Sequence, residues 1–78
     1  MQNDLSKKLR ATLGANVRAE RKRRGLTQEG LAEKLDITPR YFAAIERGER
    51  NLTLDSIEAL AAQLDLDPHL LLAPGSRL

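Results

Sequence analysis

The strongest constraint on this chain is a repeated signal for the start of a helix. Thr27, Thr38 and Thr53 each stand directly before a run in which apolar residues recur three or four positions apart, and Asp67 stands before Pro68 and a short apolar run. Threonine and aspartate favour the N-cap because their side-chain oxygens accept hydrogen bonds from the first free backbone N–H groups of a helix. Proline follows Thr38 and Asp67, at the first helical position, where its missing N–H costs nothing. The pattern predicts four successive helices.

A fifth helix is predicted upstream of these four. Leu5, Leu9, Leu13 and Val17 recur every fourth position, and Gly25 supplies a C-cap, so this first helix is expected at 6–24. The later helices are expected at about 28–35, 39–47, 54–64 and 68–73, followed by a frayed tail at 74–78. With no strand or linker predicted, residues 1–78 are expected to form one all-α domain.

The small size of the chain favours association with a second copy. A chain of 78 residues without cysteine has one modest core and no disulfide, so a partner subunit would add useful apolar burial. Leu70, Leu71 and Leu72 are consecutive, which is more apolar surface than a short helix can bury on one side within one subunit. With Leu66 they predict a two-fold interface in a dimerisation region at about 52–73.

Charge is distributed unevenly along the chain. The net charge is +6 over residues 1–24, −1 over 25–51 and −3 over 52–78, for a total of +2. A basic front half suits binding to a polyanion, although a solvated basic helix explains the same pattern. A membrane-surface helix is disfavoured because no tryptophan or phenylalanine anchors the first helix. No apolar stretch is long enough to span a bilayer, and a cytoplasmic location is expected.

The second and third predicted helices are separated by about three residues, as in a helix-turn-helix. Phe42 and Ile45 are expected to face inward, which leaves the other side of the third helix free for a ligand. Residues 25–61, GLTQEGLAEKLDITPRYFAAIERGERNLTLDSIEALA, resemble the lambda and 434 repressor and Cro family of helix-turn-helix proteins. The resemblance covers about 9–72, and Asp36 replaces a glycine common in the turn. Aspartate tolerates the left-handed conformation, so the turn is expected to survive.

Within that family, residues 45–68 resemble most the controller proteins of restriction-modification systems. The resemblance implies a five-helix lambda-repressor-like fold with the helix-turn-helix at about 27–47. It also implies a homodimeric transcriptional regulator that places two recognition helices in successive major grooves of a pseudo-palindromic DNA site, about 34 Å apart. RNA polymerase is a further partner to consider. No small-molecule ligand, cofactor or metal is expected. Phage repressors, plasmid regulators and antitoxins share much of the same stretch.

The N-terminal end of a helix in the major groove meets base edges, and Thr38, Pro39 and Arg40 occupy that end. Arg40 is the strongest candidate for base readout because its guanidinium can donate two hydrogen bonds to guanine; a phosphate contact is the alternative. Thr38 also serves as a helix cap. Ala43 and Ala44 can touch only thymine methyl groups, so DNA shape is expected to contribute to specificity.

The resemblance also implies contacts to the DNA backbone, carried by Thr27, Gln28, Tyr41, Arg47, Arg50 and Asn51. For Gln28 the alternative is a solvated polar residue, and Asn51 can equally shape the turn. Arg21 and Glu46 match two family positions that form a partly buried ion pair between the first and third helices. That pair is expected to stabilise the fold rather than to bind DNA.

Other classes of protein fit the sequence less well. His69 is the only histidine, and no cysteine or glycine-rich phosphate loop accompanies it, so an enzyme is not expected. An RNA-binding module would need exposed aromatic residues, and only Tyr41 and Phe42 are present. The serious alternative is an antitoxin-like regulator whose helix-turn-helix domain also binds a protein partner.

Overall fold

The helix-start residues lead into five helices in the computed structural model, which describes residues 3–74. The helices are α1 (Asn3–Arg23), α2 (Gln28–Leu35), α3 (Pro39–Glu46), α4 (Leu54–Gln63) and α5 (Pro68–Leu72). No strand occurs within this described range, and the predicted all-α class is confirmed. Helix α1 begins three residues earlier than predicted, whereas α2 has its predicted bounds. Residues 75–78 of the predicted tail lie outside the described residues.

The four predicted N-caps have the geometry that their side chains favour. The hydroxyl oxygens of Thr27, Thr38 and Thr53 each accept a hydrogen bond from the backbone N–H three residues further on, at 2.9 to 3.0 Å. The Asp67 carboxylate accepts one from the backbone N–H of His69 at 2.9 Å. Because these bonds are local, each helix start is specified by the residues around it.

The turn between α2 and α3 depends on a left-handed residue that is not glycine. Asp36 has φ 59° and ψ 43°, and its backbone N–H reaches the carbonyl oxygens of Ala32 and Glu33. This is the conformation in which glycine is usually required and in which aspartate is tolerated. The turn therefore survives the replacement of the family's glycine.

The core lies where α1 meets α3 and α5 and where α4 closes against α5. Its fully buried large side chains include Val17, Leu31, Phe42 and Leu64. Leu71 is also fully buried, so it packs inside the subunit rather than in an exposed interface. The prediction that all three consecutive leucines of α5 exceed the subunit's own capacity for burial is wrong at Leu71. Helix α5 points this side chain inward against the rest of the core.

A close approach of α1 to the end of α3 explains a glycine on α1. A Cβ atom at Gly14 would lie 2.5 Å from the carbonyl oxygens of both Ile45 and Glu46. No larger residue fits there without moving the backbone. The C-terminal end of α3 is therefore fixed directly by α1.

Two polar side chains of α1, Asn16 and Glu20, are buried and hydrogen-bonded. The Asn16 side-chain amide donates hydrogen bonds to the carbonyl oxygens of Leu70, Leu71 and Ala73 at 2.8 to 3.1 Å, which satisfies the C-terminal end of α5. The Glu20 carboxylate accepts hydrogen bonds from Arg23 and Arg24. The described helices include none that is both long enough and apolar enough to cross a membrane.

Candidate nucleic-acid interface

The outward face of α3 begins with three exposed residues, Thr38, Pro39 and Arg40. Ala43 and Ala44 lie on the following turn and are half-buried. The opposite face holds the buried Phe42 and Ile45 against the core. An amphipathic α3 capped by Thr38 therefore presents one short polar surface, with an arginine near its N-terminal end.

A single shallow depression gathers the N-terminal half of this surface and the loop that follows α3. We call it the α3 groove, and it is lined by Thr38, Arg40, Tyr41, Ala44, Arg47, Glu49 and Arg50. Six of these seven residues, all except Glu49, are predicted from the sequence as contacts to DNA bases or backbone. Three arginines and one glutamate give the groove a net positive charge. It can attract an anionic ligand, and it can donate several charge-assisted hydrogen bonds.

Two of the three groove arginines have defined partners in the structure. The Arg50 guanidinium lies over the Tyr41 ring, 4.8 Å from the ring centroid, in cation–π geometry. Arg47 Nη2 lies 3.0 Å from Glu49 Oε1, and both side chains are more than half exposed. Gly48, with φ 76°, turns the chain between Arg47 and Glu49 so that the two side chains meet.

The Arg47–Glu49 pair shifts the titration of both groups. The hydrogen bond and charge of Glu49 raise the pKa of Arg47 above its ordinary value. The hydrogen bond from Arg47 lowers the pKa of Glu49 below its ordinary value. Glu49 therefore remains a carboxylate at neutral pH, inside a groove that is otherwise basic.

The ion pair implied by the family resemblance lies beneath the groove. Arg21 Nε donates to Glu46 Oε2 at 2.7 Å, and Arg21 Nη2 donates to the other carboxylate oxygen at 3.2 Å. The Gln28 amide also donates to Glu46 Oε1, at 2.9 Å. Glu46 thus joins α1, the start of α2 and the end of α3. In this structure Gln28 is a half-buried structural residue rather than a solvated one.

The remaining predicted backbone contacts do not line the groove. Thr27 is exposed and caps α2, and Asn51 is exposed in the loop after the groove. The predicted interface residues lie at the other end of the chain. Leu70 is 41% exposed, whereas Leu66 and Leu72 are partly buried against the core.

Sequence reasoning missed Glu49 as part of the site. It precedes Arg50 in a loop, where no periodic pattern indicates which way a side chain points. Its position becomes visible only once the left-handed Gly48 and the resulting contact with Arg47 are known. Within residues 3–74 no group of three or more histidine, cysteine, aspartate or glutamate side chains is arranged to hold a metal ion.

Comparison with known proteins identifies the family. Residues 17–71 match the model of the helix-turn-helix family. A hypothetical transcription factor of Neisseria meningitidis serogroup B is 41% identical over 71 residues, which cover 90% of this chain and 67% of that protein. The control protein C.BamHI of Bacillus amyloliquefaciens is 36% identical over 82% of this chain and 80% of its own length.

A solved structure gives the same result in three dimensions. The restriction-modification controller protein C.AhdI from Aeromonas hydrophila superimposes with a TM-score of 0.69 at 37% identity. The superposition covers 80% of this chain and 94% of that one. Sequence and structure agree that the chain belongs to the helix-turn-helix family of transcriptional regulators, which is not a family of enzymes.

Proposed function

We propose that this chain is a sequence-specific double-stranded DNA-binding regulator that acts as a homodimer on a pseudo-palindromic operator. The observation that carries the proposal is the α3 groove, where three arginines lie along one side of α3 and in the loop after it, and an α-helix fits the major groove of DNA. Family membership makes DNA the expected ligand of this surface. Each subunit then contributes one α3 to one half-site.

Within the proposed interface, Arg40 reads a base and the loop after α3 contacts the DNA backbone. Arg40 is exposed near the N-terminal end of α3, the part of a recognition helix that lies nearest the base edges. Arg47 and Arg50 follow at the far end and in the loop, where they reach phosphates beside the groove. Thr27, Gln28 and Asn51 are the further proposed backbone contacts.

DNA shape is expected to add to this direct readout. Ala43 and Ala44 are half-buried methyl-bearing residues in the middle of the helix, so they offer no hydrogen-bond donor or acceptor to base edges. Specificity at the centre of the operator then comes from bending or groove width. Replacing central base pairs that no side chain touches should change the affinity.

The proposed dimer uses the C-terminal part of the chain, where apolar side chains are left at the surface. Leu70 is 41% exposed, and Leu54 at the start of α4 is 74% exposed. Leu66 and Leu72 are partly buried against the core. Sedimentation equilibrium should show a dimer for the wild type and a monomer for Leu70→Glu, with unchanged helical circular dichroism.

A controller role in a restriction-modification system is the more specific proposal. The similarity to C.BamHI and C.AhdI supports it, because both cover at least 80% of this chain and of the relative. The Neisseria relative is named only as a transcription factor. A promoter-reporter assay with purified RNA polymerase would show whether the bound regulator activates or represses.

The test of the function itself is selection from a pool of random duplexes with sequencing, at about 50 mM and about 200 mM salt. An inverted repeat should emerge for the wild type. With Arg40→Ala the preference at one position in each half-site should be blunted, by about 1 to 3 kcal/mol if the contact is bidentate. Weak, sequence-independent binding that is lost at the higher salt concentration would contradict the proposal.

A further inference from the structure

We infer that Glu49 occupies Arg47 in the free protein and competes with DNA phosphates for this arginine, so that it weakens the binding of DNA of any sequence. The inference rests on the proposed DNA-binding function and deepens it. Glu49 is the only acidic residue that lines the α3 groove, and its carboxylate oxygen lies 3.0 Å from Arg47 Nη2. The remaining charged residues of that lining are arginines.

The carboxylate of Glu49 occupies the position in which a DNA phosphate would meet Arg47. Both groups are anions that accept charge-assisted hydrogen bonds from a guanidinium, so they compete for the same donor. The Arg47 and Glu49 side chains are 56% and 58% exposed, which leaves a phosphate free access to the pair. DNA must therefore displace Glu49 before Arg47 can neutralise a phosphate.

This competition acts against every DNA sequence equally, because phosphates carry no sequence information. It weakens the sequence-independent attraction that supplies nearly all non-specific binding. Contacts from Arg40 to base edges do not involve Glu49, so the operator retains its advantage. The ratio of specific to non-specific affinity is therefore unchanged, and Glu49 lowers the absolute affinity for DNA of any sequence.

The pair also differs from the other acidic contacts of the chain. Glu46 is 4% exposed and Glu20 is 1% exposed, and both hold arginines that stabilise the packing of helices. Glu49 holds its arginine in an exposed loop, where a surface ion pair contributes little to stability. A role in binding therefore accounts for it better than a role in folding.

The experiment compares Glu49→Gln with Glu58→Gln, which removes the same charge from an exposed position on α4 outside the groove. Affinity for a 20-bp duplex of random sequence is measured by fluorescence anisotropy between about 50 mM and about 200 mM salt. Glu49→Gln should bind about fivefold more tightly at the lower salt, and Glu58→Gln should differ from the wild type by less than about twofold. The slope of log affinity against log salt should steepen by about 0.9 for Glu49→Gln, as for one added phosphate contact.

A double-mutant cycle then tests whether Glu49 acts through Arg47. In an Arg47→Gln background, the gain from Glu49→Gln should fall to less than half, because no arginine is left to release. An undiminished gain would overturn the inference, since Glu49 would then merely repel DNA through space. Urea unfolding of the same variants should show unchanged midpoints, which excludes an effect on folding.

The outcomes separate this inference from the proposed function. A wild-type protein that fails to bind the duplex at about 50 mM salt would overturn both. A wild type that binds, together with a Glu49→Gln variant that matches Glu58→Gln, would overturn only the inference. Weaker binding of Glu49→Gln to the selected operator, with random duplex unaffected, would also overturn it, because Glu49 would then read a base directly.

Discussion

Burial determines how much each charged residue of this protein contributes to stability. Glu46 is 4% exposed and Arg21 is 12% exposed, so their ion pair is largely removed from water. Breaking such a pair leaves a charge without its partner in a poorly solvated position. The Glu46 carboxylate also accepts a hydrogen bond from the Gln28 amide, and Arg21 also donates one to the carbonyl oxygen of Leu26.

We therefore expect Glu46→Ala to lower the free energy of unfolding by about 3 kcal/mol, measured by urea denaturation. Replacing both partners, as in Arg21→Met with Glu46→Leu, should recover part of that loss, because no charge is then left unpaired. The exposed pair gives a matched control, and Glu49→Gln should leave the urea midpoint unchanged. Equal stability of Glu46→Ala and the wild type would contradict this account.

The ionisation of Glu20 makes the free energy of unfolding depend on pH in the acid range. Burial alone would raise its pKa, but hydrogen bonds and charges from Arg24 and Arg23 prevail, and the pKa of Glu20 falls below its ordinary value of 4.5. A carboxyl group with a lowered pKa in the folded state contributes stability at pH above its unfolded pKa. That contribution is lost as the pH falls through the folded pKa.

The free energy of unfolding should consequently decrease between about pH 5 and about pH 3, and less steeply in Glu20→Gln than in the wild type. Urea titrations at several pH values measure the two slopes. Glu58→Gln provides the control, because it removes an exposed carboxylate from α4. Parallel curves for Glu20→Gln and the wild type would show that Glu20 does not carry the effect.

At the scale of helices, local signals set where each element begins, and distant contacts decide how it packs. Helix α5 has five residues, too few to be stable alone, and its C-terminal carbonyl groups are satisfied by Asn16 from α1. The Asn16 side chain is buried, so no water replaces it readily. At that end, helix α5 is held by the Asn16 amide together with the buried side chain of Leu71.

Asn16→Ala should destabilise the protein by about 1 to 3 kcal/mol, because buried carbonyl groups lose their donor. In Asn16→Ala, amide hydrogen exchange should become faster in α5 than it is in the wild type, and the increase should be larger in α5 than in α2. Gln63→Ala, a change of an exposed residue on α4, serves as the control for the loss of a side-chain amide. Unchanged protection of α5 in Asn16→Ala would contradict the assigned role.

The contrast between caps and packing explains how much the sequence could predict. The Thr38 hydroxyl accepts a hydrogen bond from a backbone N–H only three residues away, so its role can be predicted from the neighbouring residues in the sequence. Asn16 reaches acceptors more than 50 residues away, and it sits among apolar residues without any local signal. Leu71 was misjudged for the same reason, since only the packing of α5 against α1 shows which leucine turns inward.

At the scale of the whole molecule, the basic block of the sequence and the α3 groove lie in different segments. Residues 1–24 carry the basic excess, but Arg21, Arg23 and Arg24 are paired with buried carboxylates. The α3 groove belongs to residues 25–51, whose net charge is −1. The candidate interface is basic because folding gathers three arginines on one face, which no sum along the chain reveals.

The account as a whole depends on the α3 groove being the surface that meets DNA. The most direct measurement is an NMR titration of the 15N-labelled protein with a 20-bp random duplex at about 50 mM salt. The largest amide shifts should fall at residues 38–51 and at the start of α2, with small shifts over α4 and α5. Largest shifts in α1 or in α4 and α5, with α3 unaffected, would contradict the assignment of the groove and with it the proposed function.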